Sequence, residues 1–207
     1  TDDVSWELSS AYSILLIDRT YIDEGASLTV SPGVVIKSAR YEGLHVDGQL
    51  NCIGTIGAPV HFTSYLDDTV GGDTNNDGDA TSPGVDWWRG IDVRNSGSAE
   101  LDYCTISYAG YWNEVGLSKS GSGDLSLRRS SVRNTFGSGL RVRSGYGSLL
   151  SEDNRFENNH YGVRIGLNTS FSDTTSVFSD NIYGQVAVDV EHSPMMCVGN
   201  FPLTIQF

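Results

Sequence analysis

The sequence predicts an all-β chain wound as a right-handed parallel β-helix, a solenoid of about 23 residues per coil with one acidic loop inserted into it. Three observations carry this. A glycine followed by alternating apolar residues recurs as Gly90-Ile91-Asp92-Val93, Gly116-Leu117-Ser118-Lys119, Gly139-Leu140-Arg141-Val142 and Gly162-Val163-Arg164-Ile165, the glycines lying 26, 23 and 23 residues apart. A fixed period of this size is the signature of a solenoid. Between the anchors run short segments with apolar residues at alternate positions, at 101–106, 125–132, 149–156 and 177–178, which is the pattern of half-buried strands. No stretch between them has helical periodicity, so crossover helices are absent from the reading. A β-sandwich also uses many short strands, but it gives no reason for one side-chain type to return every 23 residues.

Along the chain, residues 1–22 read as an N-terminal cap, including the apolar segment 6–17. Gly43-Leu44-His45-Val46 repeats the anchor motif, separated from Gly90 by one coil plus an insertion at 67–86. Gln185-Val186-Ala187-Val188 continues the repeat beyond Gly162. Stacking these segments at the strand spacing of about 4.8 Å aligns Leu44, Ile91, Leu117, Leu140, Val163 and Val186 as one inward apolar ladder. Cys104, Ser130 and Asn154 fall in one column at a turn. His45, Asp92, Arg141 and Arg164 fall in one outward column. The last five residues, 203–207, alternate with no polar lid after them, and predict self-association through an unpaired strand. The whole of 1–207 reads as one domain.

Composition narrows the function. The 207 residues carry 26 acidic and 13 basic side chains, a formal charge of -13, with a sequence pI near 4.5. That opposes nucleic acid as a partner. No apolar run approaches the roughly 18 residues of a membrane span. Cys52, Cys104 and Cys197 lie far apart, are odd in number and make no CxxC spacing, so they read as small buried apolar residues. The chain opens on Thr1-Asp2-Asp3, without an initiator methionine or a leader, as in a mature form or a cut one. Asn168-Thr169-Ser170 is a glycosylation sequon.

Residues 67–86 contain six aspartates and no basic residue, a segment that repels itself unless a cation neutralises it. Asp73-x-Asn75-x-Asp77-Gly78-Asp79 matches the first half of an EF-hand loop, in which alternate oxygens wrap a hard cation and the glycine allows the sharp turn. The place of the twelfth-position acid is taken by Gly84, so Asp86, Asp67 or Asp68 has to substitute, or water completes the shell. The expected ligands of a structural Ca2+ are Asp73, Asn75, Asp77, Asp79 and Asp86, pinning the insertion to the side of the solenoid.

Residues 24–37 (EGASLTVSPGVVIK), 44–64 (LHVDGQLNCIGTIGAPVHFTS) and 87–93 (WWRGIDV) resemble the right-handed parallel β-helix module of large prokaryotic cell-surface proteins, in the pectin-lyase-like superfamily. The resemblance spans about residues 4–166. It implies the fold and an extracellular or cell-surface setting. It does not choose an activity, because that superfamily holds lyases, hydrolases, epimerases, tailspikes and adhesins alike.

Two further clusters suggest ligands. Seven of the 13 basic residues, Arg128, Arg129, Arg133, Arg141, Arg143, Arg155 and Arg164, lie within 128–164 against three acids, Glu152, Asp153 and Glu157. Arg141, Arg143 and Arg164, with His160 and Tyr161, are candidates to hold an acidic glycan through bidentate contacts; the plainer reading has these arginines facing solvent and pairing with the local acids. Trp87, Trp88 and Trp112 are candidates to stack on sugar rings, or else clamp the insertion. The expectation is a calcium-stabilised structural or adhesive surface module. The alternatives are a lyase or related enzyme on acidic polysaccharide, and a glycan-binding module without chemistry.

Overall fold

The structure is a computed structural model that describes residues 3–6, 13–85, 87–112, 115–143, 148–167, 169, 171–190, 193–197 and 203–205. These residues contain no α-helix. They wind through about seven turns about 24 residues apart, and each full turn contributes one strand to each of three sheets. The first sheet holds Asp3–Trp6, Ser27–Val30, Gln49–Ile53, Ser98–Asp102, Leu125–Arg128 and Leu149–Glu152. Ile14–Leu16, Val35–Ser38, Val60–Ser64, Cys104–Ser107, Ser131–Arg133, Arg155–Glu157 and Val177–Ser179 make the second. Thr20–Ile22, Leu44–Val46, Ile91–Val93, Val115–Lys119, Ser138–Val142, Tyr161–Gly166 and Gly184–Val190 make the third, closed by Ser193–Cys197. Every pairing in the first two sheets is parallel, which excludes the sandwich. Only the last strand of the third sheet reverses, lying antiparallel to Gly184–Val190.

Register follows the predicted ladder. Leu44, Ile91, Leu117, Leu140, Val163 and Val186 pair in succession and all are buried. One residue on, His45, Asp92, Ser118, Arg141 and Arg164 form the outward column, because a strand turns successive side chains to opposite faces. The anchor glycines have a steric cause. A Cβ on Gly116 would lie 2.7 Å from Val132 Cγ1, and one on Gly162 would lie 2.5 Å from Phe178 Cδ1. Their absence lets inward side chains of the second sheet close the corner.

The corners are held by polar ladders. Between the first and second sheets the chain turns through one residue in the left-handed region, Tyr103, Arg129 or Asp153, at φ of 50°, 46° and 55°. The next residue bridges coils. The Cys104 amide donates to Ser130 Oγ at 2.9 Å, the Ser130 amide to Asn154 Oδ1 at 3.0 Å, and the Asn154 amide to Ser176 Oγ at 2.8 Å. The predicted turn column is thus a ladder that satisfies amides the sheets leave over. Asn159 and Asn181 repeat the device at the next corner.

In the segment expected to cap the solenoid, residues 1–22, the described strands are the outermost members of all three sheets. Leu203–Ile205 pairs antiparallel with Phe171–Asp173. One edge of the strand expected to stand unpaired is therefore used within the chain, and residues 206 and 207 lie outside the described residues. Cys52 and Cys104 are buried free thiols, as expected. Burial pushes the Cys104 thiol up to about 12, so neither the thiolate nor metal binding is favoured there. The side chain of Cys197 lies outside the described residues.

Candidate functional site

The insertion leaves the solenoid after Val60–Ser64 and rejoins it at Ile91–Val93, and local chemistry fixes its start. The Asp67 amide donates to Ser64 O at 3.0 Å and the Leu66 amide to Ser64 Oγ at 3.1 Å. Asp67 is buried and its carboxylate is used up: Thr63 Oγ1 donates to one oxygen at 2.7 Å, and Thr69 donates to the other through Oγ1 at 2.6 Å and through its amide at 3.2 Å. Lys37, outward on the second sheet yet fully buried, donates through Nζ to Asp67 O at 2.7 Å and Gly72 O at 2.5 Å. Burial lowers its pKa, against the attraction of Asp68, Asp67 and Asp73. Ser13 Oγ donates to Gly71 O at 2.9 Å. The insertion is therefore folded back over the outer face of the second sheet. The signal of this in the sequence is a lysine at an outward strand position in a chain with only two lysines.

Within the loop, Asp68, Asp73 and Asp77 each offer a carboxylate oxygen, all within 4.8 Å of one another. That spread is about twice a Ca–O distance of roughly 2.4 Å, so one ion could touch all three. Asp73 shapes the turn, accepting from the Asp77 amide at 3.2 Å and the Gly78 amide at 2.8 Å. Asn75 Nδ2 donates to Asp77 Oδ2 at 2.7 Å and to Thr81 Oγ1 at 3.0 Å, which fixes the amide orientation and turns its oxygen away. Asp68 Oδ1, Asn75 Oδ1 and Asp77 Oδ1 are all shielded from solvent and lack a hydrogen-bond partner. These three oxygens can only accept, and such buried acceptors normally have partners. Desolvation, then Asp73, holds the Asp68 carboxyl above its ordinary range.

The acidic cluster and the expected ligand set overlap. Asp73 and Asp77 belong to both, and Asn75 donates to Asp77; Asp79 is exposed outside the cluster, after Gly78 at φ 66°. Asp68 supplies the third carboxylate, Asp67 is consumed by threonines, and Asp86 lies outside the described residues.

The expected glycan residues divide into two places. Trp88 is 1% exposed and donates through Nε1 to Ser107 O at 2.8 Å, so it is core rather than a platform. Trp87 packs 6.2 Å from Tyr65, with Arg40 4.6 Å over its ring and 4.6 Å over Tyr41. These residues clamp the insertion's return. Trp112, at 77% exposure, stands free of the clamp. Higher on the solenoid, His160 lies between Phe136 at 4.5 Å and Tyr183 at 5.2 Å, and Tyr161 lies 5.4 Å from Tyr183. Arg164 covers Tyr161 at 5.5 Å.

The arginines are not simply a solvated face. Arg141 and Arg164 are part-buried and share Asp189, at 3.2 and 2.6 Å. Arg155 pairs with Glu157 at 2.8 Å, as the local reading expects, but Arg128 and Arg129 reach Glu100 and Asp102 on the neighbouring coil. Asp189 was missed; its signal is the outward position in Val186-Ala187-Val188-Asp189. Lower in the same column His45 Nδ1 lies 3.8 Å from Asp92 Oδ2, and Ser118 bonds the same carboxylate. The carboxylate lies between imidazole and hydroxyl, so this trio lacks the nucleophile–base contact of a hydrolase triad. A polar cleft of about 580 Å³ at another corner is lined by Asp3, Glu24 and Asp47, but Asp47 is held by Arg94 at 2.7 Å and Asn95 at 2.6 Å.

No protein-family model, curated protein or solved structure matches the chain.

Proposed function

We propose that this chain is a structural module of the cell surface, a solenoid of the right-handed pectin-lyase-like kind whose insertion is clamped by calcium. The observation that carries the reading is the cluster of the Asp68, Asp73 and Asp77 carboxylates, in which Asp68 Oδ1 and Asp77 Oδ1 are shielded and unpartnered, with the Asn75 amide held against Asp77. A set made only of carboxylate and amide oxygen suits a hard cation. A divalent ion there would offset two of the three carboxylate charges and join residue 68, next to the sheet, to the loop at 73–77. Three carboxylates fall short of a full shell of six to eight oxygens, so water completes it and the affinity is weak. Extracellular calcium modules bind at roughly 0.1–1 mM, and such a site fills where calcium is abundant, outside the cell. A lyase reading needs an arginine or lysine base free to take a proton, whereas Arg141 and Arg164 both hold Asp189.

Calorimetry tests the clamp. Calcium at about 100 times its Kd adds about 2.7 kcal/mol to folding if it binds only the folded chain, or about 5–10 °C in Tm for a chain of this size. Chelator should remove the gain and Asp77→Asn should abolish it. A Tm indifferent to chelator, calcium and Asp77→Asn alike overturns the reading.

A further inference from the structure

We infer that, given the calcium site on which this rests, Lys37 is its positioning residue: the ammonium gathers the carbonyls of Asp67 and Gly72, and so brings together the aspartates that follow them, Asp68 and Asp73. Lys37 Nζ donates to Asp67 O at 2.7 Å and to Gly72 O at 2.5 Å. Each of these carbonyls belongs to the residue directly before a cluster aspartate. One nitrogen therefore fixes the backbone at two points five residues apart, and the carboxylates of Asp68 and Asp73 come to offer oxygens within 4.8 Å of each other. Asp73 passes the position on. Its carboxylate accepts from the Asp77 amide at 3.2 Å and the Gly78 amide at 2.8 Å, which carries the third carboxylate, that of Asp77, into the same cluster.

The platform is the outer face of the second sheet, and three successive coils each lend it one side chain. Ser13, just before Ile14–Leu16, donates to Gly71 O at 2.9 Å. Lys37 lies on Val35–Ser38, and Thr63, on Val60–Ser64, donates to the Asp67 carboxylate at 2.7 Å. The fit is close: a Cβ on Gly71, at φ 67°, would lie 2.2 Å from Ser13 Oγ. Lys37 is wholly buried, yet its donors go to carbonyls, and it takes part in none of the ion pairs among the described residues. The cluster carboxylates are thus left for another cation. Charge and position act in opposite senses here. Lys37 lies in the field of Asp68, Asp67 and Asp73, so by Coulomb's law alone its removal should let a divalent ion bind more tightly. As a positioning residue it does the reverse, because without it three like charges have to be gathered and ordered at the moment of binding, at the expense of affinity.

Calorimetric titration of calcium chloride into the full chain, at constant ionic strength, separates the two senses. Lys37→Met should weaken calcium about tenfold, the loss of one hydrogen bond from a charged donor, while Tm in chelator stays near that of the parent. A lysine that served only the stability of the solenoid would lower that Tm and leave the affinity alone. Ser13→Ala removes an anchor of the same segment without removing charge, and should weaken calcium about threefold, the loss of one neutral hydrogen bond. Calcium binding by Lys37→Met as tight as the parent's, or tighter, overturns the positioning role and leaves the calcium site standing. If Lys37→Met does not fold, Ser13→Ala decides: weaker binding supports the role, and parent-like binding overturns it. Asp77→Asn should bind no calcium. A parent that binds none, or an Asp77→Asn chain that binds as the parent does, overturns the calcium site and the role of Lys37 with it.

Discussion

Leu140 and Arg141 are neighbours in sequence and opposites in environment. Leu140 is wholly buried in the ladder between Leu117 and Val163, so Leu140→Asp puts an unpaired charge among stacked apolar side chains and should unfold the middle coils. Arg141 was expected to face solvent; its pairing with Asp189 makes it a moderate contributor instead. Arg141→Ala should cost about 1 kcal/mol, because Arg164 still holds Asp189. Thermal unfolding by circular dichroism separates the two, and equal damage from both would show that the register is wrong. A third residue carries a pH signature. The Asp47 carboxyl is held below its ordinary 3.8, first by the Arg94 hydrogen bond and against its own burial. A carboxylate depressed by folding stabilises the chain above its unfolded pKa, and that stability is lost as pH falls through the folded value. Asp47→Asn should therefore lower Tm at pH 7, by about 2–4 °C for a part-exposed pair worth about 1 kcal/mol, and the gap should close below about pH 4. A gap that does not narrow at all as pH falls below about 4 means that Asp47 acts by packing rather than charge.

Among the elements, the insertion depends most on a single contact. Lys37 joins it to the second sheet through the carbonyls of Asp67 and Gly72. The lowered pKa of this lysine says that burying its charge is unfavourable, and replacing a buried ion by an apolar side chain is often neutral for stability. Lys37→Met should accordingly leave the stability within about 1 kcal/mol of the parent while freeing the loop. Hydrogen exchange measures it: amides of residues 66–73 should exchange faster, and those of Leu44–Val46 and Ile91–Val93 should not change. Uniform acceleration across these strands would mean that the lysine supports the solenoid itself. Within the strands the sequence was readable because the pattern is local. The glycine anchors mark where the second sheet's side chains need room, and Val115–Lys119, Ser138–Val142 and Tyr161–Gly166 fall where they predict. The loop at 67–86 has no periodicity, so its landing place could not be read in advance.

The whole molecule carries a charge of -13 on coils stacked at about 4.8 Å. Self-repulsion on that scale weakens a compact chain and is screened by salt. Raising sodium chloride from about 10 to 200 mM, across which the screening length falls from about 30 Å to under 10 Å, should raise Tm in the presence of chelator. A fall in Tm would place the dominant electrostatics in the ion pairs, such as Arg94 with Asp47, rather than in the net charge. The ladder is legible in the chain alone: residues spaced by one coil stack because identical inward positions bury together, and a slip of one residue would turn Leu140 out and Arg141 in. The tertiary structure alone decided the partners between coils and across the insertion. Asp189 reaches Arg141 over 48 residues and Arg164 over 25, Lys37 reaches Gly72 over 35, and Asp68, one of three acids that linear spacing left open, joins Asp73 and Asp77 in the acidic cluster. Such contacts depend on where the winding carries each side chain in space, and spacing along the chain records only the period of the winding.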